Sequence, residues 1–150
     1  MNYKDLIKDA EENWYPWKAE IIRCLKDYLE ARHAVRQRPE GFMSFHAPTE
    51  GYKEYERLTE ISKNAYAKLL EATDTGYRED GFCNFVWEWK YWKVMSQKCC
   101  WYQKDPTTDY LAAETMRNLQ DAETNFVKAC RLEEFYQPSS YYIEKQFPNL

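Results

Sequence analysis

Glycine is scarce in this chain: the 4 glycines of 150 residues, Gly41, Gly51, Gly76 and Gly81, are scattered singly. They form no run able to cradle a phosphate, which excludes the glycine-rich nucleotide loops. Strands joined by tight turns would also need more of them, so a largely helical chain is expected. Histidine is scarcer still, with only His33 and His46, and no CxxC pair exists beside which either could complete a zinc finger. Residues 74–85 lack the acidic alternation and the closing Glu of a calcium loop. No metal and no cofactor is therefore expected. No apolar run approaches the roughly 20 residues of a membrane span. The opening stretch MNYKDLIKDAEENW has no apolar core of the signal-peptide kind. A cytoplasmic protein without a membrane partner is the resulting expectation.

The five cysteines, Cys24, Cys83, Cys99, Cys100 and Cys130, are an odd and scattered set. In a reducing compartment they read as free thiols acting as small hydrophobes on helix faces. No Ser, Cys or Thr stands in a nucleophile motif with a base, although either histidine could meet Cys83, Cys99 or Cys100 once the chain is folded. Glu123 interrupts an apolar stripe, and it reads as a carboxylate paired with an Arg or a Tyr hydroxyl, or else as an acid of raised pKa. These absences point away from an enzyme.

The chain is rich in aromatic residues, with 6 Trp, 13 Tyr and 7 Phe, and 31% of it is charged. Its net charge of −4 argues against nonspecific nucleic-acid binding, yet the charge is sided. Trp17 to Arg38 carries six basic residues against three acidic ones, whereas Pro39 to Gly76 and Pro106 to Tyr136 are both acidic on balance.

Apolar residues recur at intervals of three and four in several stretches, the period of a helix with one buried face. The first helix is expected from Tyr3 to about Trp14, with Pro16 in the first turn of the next. That second helix follows Trp17, Ile21, Cys24, Tyr28, Ala31 and Val35, widened by Leu25 and Leu29, and ends before Pro39. The connection that follows contains Phe42, Met43 and Phe45, which either tuck into the core or form a sticky exposed loop. Tyr55, Leu58, Ser62, Ala65, Leu69 and Ala72 mark a third helix, closed by the stop Thr73-Asp74-Thr75-Gly76.

Phe82 to Lys104, FCNFVWEWKYWKVMSQKCCWYQK, is the stretch most loaded with aromatics. One helical stripe comprises Phe82, Phe85, Trp89, Trp92, Ser96 and Cys99; a second, roughly opposite, comprises Trp87, Tyr91, Val94 and Trp101. Read as a strand, the same residues also alternate acceptably, so helix is preferred because the stripe extends to Cys99 and the rest of the chain is helical. Asp105-Pro106 opens a last helix carrying Ala112, Met116, Leu119, Ala122, Phe126 and Cys130, which stops before Pro138. Tyr141, Tyr142, Ile143 and Phe147 make a tail that is expected to dock.

The expected fold is thus all-α: residues 1–150 as a single-domain antiparallel helical bundle of about four main helices, with a short N-terminal helix and a docked C-terminal tail. The expected function is binding of another protein through an aromatic-rich surface, because Trp, Tyr and Arg are the residue types enriched at binding hot spots. Trp87, Tyr91 and Trp101 are the leading contacts, followed by Phe42 and Phe45. Small inhibitors carried by phages or mobile elements, anti-defence proteins among them, share this size and composition. The alternative is a nucleotide or single-strand binder using Arg32, Arg36, Arg38 and nearby aromatics as an anion site.

Overall fold

A computed structural model describes residues 1–13, 15–37, 50–74, 81–99 and 106–136. Every regular element among them is helical, so the all-α expectation holds: α1 (Tyr3–Glu12), α2 (Pro16–Arg36), α3 (Glu50–Thr73), α4 (Gly81–Cys99), α5 (Pro106–Ala129) and a 3-10 turn (Glu133–Phe135). The aromatic stretch is helix rather than strand over the whole of α4.

Local chemistry sets the helix ends. Asn2 caps α1 by accepting from the Asp5 amide at 2.9 Å, and the Asp5 carboxylate accepts from the Asn2 amide at 3.2 Å, a reciprocal capping box that satisfies two orphan donors. At the other end of α1 the Asn13 side chain donates to the Asp9 carbonyl at 2.9 Å and to its carboxylate at 2.8 Å. Pro16 then occupies the first turn of α2, where its missing N–H costs nothing and its fixed φ suits the helix. His33 and Arg36 lie in the last turn of α2, placing positive or chargeable groups at the negative end of the helix dipole.

The chain forms two compact units, one built from α1, α2, α3 and the 3-10 turn, the other from α4 and α5. In the first, α2 is the hub, packing against α1, α3 and the turn. It can do so because it is buried on a wide arc: Ile21, Cys24 and Tyr28 on the expected stripe, with Ala19, Ile22, Leu25 and Leu29 beside it. α3 runs antiparallel to it, since Tyr28 meets Tyr66 at 5.4 Å between ring centroids while the earlier Cys24 feels the charge of the later Lys68. The expected seam on α3 is the covered one, with Leu69 and Ala72 buried and Tyr55, Leu58, Ser62 and Ala65 half-buried. Its glutamates lie on the solvent side, where Glu54 takes two bonds from the Arg57 guanidinium and Glu50 pairs with Lys53 at 3.4 Å. The Arg57 guanidinium holds the Glu54 carboxyl below its ordinary range.

A polar and aromatic cluster joins the turn to α1 and α2. The Tyr3 and Phe135 rings meet edge to face at 5.5 Å, and the Lys26 ammonium stands 4.9 Å over Phe135 and 5.9 Å over Tyr3 while pairing with Glu30 at 2.7 Å. That hydrogen bond from Lys26 to Glu30 pushes the ammonium pKa up, against the opposing effect of burial. Arg23 of α2 also pairs with Glu11 of α1.

The second unit is a helical hairpin. Phe82, Cys83, Val86 and Trp89 of α4 are buried, as are Ala113, Leu119, Ala122, Phe126 and Val127 of α5. The Trp89 and Phe126 rings lie 5.4 Å apart and Phe82 meets Phe126 at 6.3 Å. Cys83 and Val86 join the core, so the buried stripe of α4 is rotated from the expected one: Phe85 and Trp92 are only half-buried.

α5 ends before Pro138, as expected. The helix stops at Ala129, and Arg131 takes a left-handed conformation with φ 58°. A non-glycine residue in that region is uncommon, and without a glycine nothing in the sequence marks the break. Leu132 beyond it is fully buried.

Candidate functional site

On α4, the period of 3.6 places Trp89 and Trp87 on opposite sides of one helix. Trp89 is 0% exposed, held by α5; Trp87 is 52% exposed, and Tyr91 and Val94 on the same face are 57% and 51% exposed. Tyr91 is steadied by its neighbour Trp92, whose ring it meets edge to face at 4.9 Å. Glu88 is exposed beside this face, and Lys90 and Lys93 are half-buried next to it. The result is an apolar strip three residues long with a charged margin. Trp101, Phe42 and Phe45, the other expected contacts, lie outside the described residues, as does the expected docked tail.

Two of the three residues expected to form an anion site are described. Arg32 and Arg36 are one turn apart at the C-terminal end of α2, and Arg38 lies outside the described residues. The Arg32 guanidinium stacks 5.1 Å over Tyr28 and 5.8 Å over Tyr136, so it already has aromatic partners. A helix C-terminus carries partial negative charge, which works against anion capture there. These arginines belong to the first unit and the α4 face to the second.

Glu123 is 6% exposed and accepts at 2.8 Å from the indole N–H of Trp89. The expectation of a paired carboxylate is met, with an indole N–H as a donor. The two residues are 34 positions apart, and no spacing rule connects them.

The sequence also contains one Glu-x-x-His spacing, Glu30 to His33 on α2. Glu30 accepts from Lys26, and His33 Nε2 lies 3.2 Å from Gln37 Nε2. Among the described residues no three His, Cys, Asp or Glu side chains come together as a metal cluster. His46 lies outside the described residues.

Three cysteines, Cys24, Cys83 and Cys130, are buried free thiols, as expected. Burial of Cys24, together with its 3.5 Å contact to the Glu20 carboxylate, pushes its pKa from 9.0 to about 11. It opens onto a cavity of about 330 Å³ between α2 and α3, lined also by Asp27, Ala31, Ile61, Asn64, Ala65 and Lys68.

No helix among the described residues is long and apolar enough to cross a membrane. The class defined by fold and surface is an all-α protein with an outward aromatic helix face. No protein-family model, no curated protein and no solved structure matches the chain.

Proposed function

We propose that this is a non-enzymatic cytoplasmic protein that binds another protein through the outward face of α4. The observation that carries the reading is the pairing of one covered and one uncovered face on the same helix: Trp89 is wholly buried while Trp87, Tyr91 and Val94 are each more than half exposed. Covering those three side chains removes large apolar surface from water. The edge contact of Tyr91 with Trp92 limits the freedom that Tyr91 has left to lose on binding. The charged margin formed by Glu88, Lys90 and Lys93 supplies the polar rim that selects a partner.

The finer reading is an inhibitor of a larger complex, of the phage or mobile-element kind. There the acidic segments, Pro39 to Gly76 and Pro106 to Tyr136, would take the place of a nucleic acid in a partner's basic channel. Affinity capture from the source organism followed by mass spectrometry tests both levels. The expected result is one partner retained by the wild type and lost by Trp87→Ala and Tyr91→Ala at unchanged melting temperature. Equal retention by all three proteins would overturn the α4 reading.

A further inference from the structure

The cavity between α2 and α3 has the make-up of a small-ligand site. Its volume of about 330 Å³ falls at the lower end of the range typical of small-molecule pockets. Its position follows from the sequence, because Ala31 and Ala65 are small residues on two helices otherwise packed by Tyr28 against Tyr66. Ile61, 43% exposed, forms an apolar wall. The polar lining is asymmetric: Asp27 contributes a carboxylate from α2, while Lys68 and Asn64 contribute an ammonium and an amide from α3. Asp27 and Lys68 are both close enough to act electrostatically on the Cys24 thiol, and Asp27 also acts on Lys26, yet among the described residues neither forms an ion pair with the other or with a third group. Two opposite charges thus line one cavity with their pairing capacity unused, above an apolar floor.

We propose that this cavity binds a small linear zwitterion, its ammonium on Asp27, its carboxylate on Lys68 and Asn64, and its aliphatic chain against Ala31, Ile61 and Ala65. A ligand with only one charge would leave half of the site unpaired, so discrimination against it follows from the same geometry. Cys24, protonated at neutral pH, meets the aliphatic chain as a neutral group at the inner end. This inference concerns the first unit and is independent of the α4 reading.

The test uses the full ¹⁵N-labelled chain and amide chemical shifts on titration with 4-aminobutyrate and 6-aminohexanoate, with butyrate and n-butylamine as single-charge controls. The expected result is a saturable shift confined to amides of α2 and α3 around Cys24–Ala31 and Ile61–Lys68 for at least one of the two amino acids. The controls should bind at least about tenfold more weakly, a loss that corresponds to one missing charge contact. Asp27→Asn and Lys68→Gln, both at exposed positions, should each weaken the amino acid by about the same factor while leaving the other amide positions unmoved. No saturable shift with either amino acid, equal binding of the single-charge controls, or full binding by both variants would overturn the proposal.

Discussion

The indole N–H of Trp89 donates to Oε2 of Glu123 at 2.8 Å inside the α4–α5 hairpin, where both side chains are shielded from water. The bond fixes the rotation of α4: with Trp89 turned onto Glu123 and Phe126, the residues half a turn away point outward. The buried polar pair and the outward aromatic face are therefore two consequences of one placement.

Trp89→Phe keeps an aromatic ring but removes the donor, leaving a buried carboxylate short of one hydrogen bond. The expected loss is about 2 kcal/mol in chemical denaturation. Glu123→Gln keeps an acceptor oxygen and should cost about half as much, and a double-mutant cycle of the two should show a coupling of about 1 kcal/mol. Additive losses would mean that the bond contributes nothing in solution.

At the outward face the expectation is the reverse. Trp87→Ala and Tyr91→Ala should each change stability by less than about 0.5 kcal/mol, the range of surface substitutions. Trp89→Ala, by contrast, should cost about 4 kcal/mol through the lost apolar contact and the cavity left behind. Thermal melts of the three variants side by side distinguish the two faces.

How far the sequence anticipates this arrangement differs from element to element. The seams of α2 and α3 are legible because Ile21, Cys24, Tyr28, Leu69 and Ala72 keep a regular three-four spacing and each lands in the core. α4 is harder, since Trp and Phe on every side leave periodicity little contrast; Cys83 and Val86, not Phe85 and Trp92, complete its covered face. The outward stripe is nonetheless readable in Trp87, Tyr91 and Val94. The Glu123 partner is not, because a contact across 34 positions depends on how two helices pair rather than on local spacing. The break after Ala129 is equally hidden, since Arg131 adopts its left-handed backbone where no glycine marks it.

Cys24 gives the first unit a pH dependence at the alkaline end. Its folded pKa is raised from 9.0 to about 11, so the folded state keeps a proton that the unfolded chain loses. The associated stability is fully present below pH 9 and declines as pH rises toward 11. On the order of 2 kcal/mol is expected over that window. The difference in unfolding free energy between wild type and Cys24→Ala should therefore shrink across it, which denaturant melts at stepped pH would detect. At neutral pH the same thiol should alkylate far more slowly than a free cysteine peptide.

Arg32 should act as a packing residue. Arg32→Ala removes the guanidinium from the rings of Tyr28 and Tyr136 and should cost about 1 kcal/mol. The share of that loss that comes from the two ring contacts should change little with added salt. A loss that vanished at high salt would point instead to an ionic role for Arg32.

The most direct measurement is hydroxyl-radical footprinting of the free full-length chain, read residue by residue by mass spectrometry. It reports the solvent access of Trp87, Tyr91 and Trp89 in a single experiment. The account predicts rapid oxidation of Trp87 and Tyr91 and strong protection of Trp89, with the first two becoming protected once a partner is bound. Equal protection of Trp87 and Trp89 in the free protein would show that α4 is covered on both sides, and would contradict the proposal that its outer face is the binding surface.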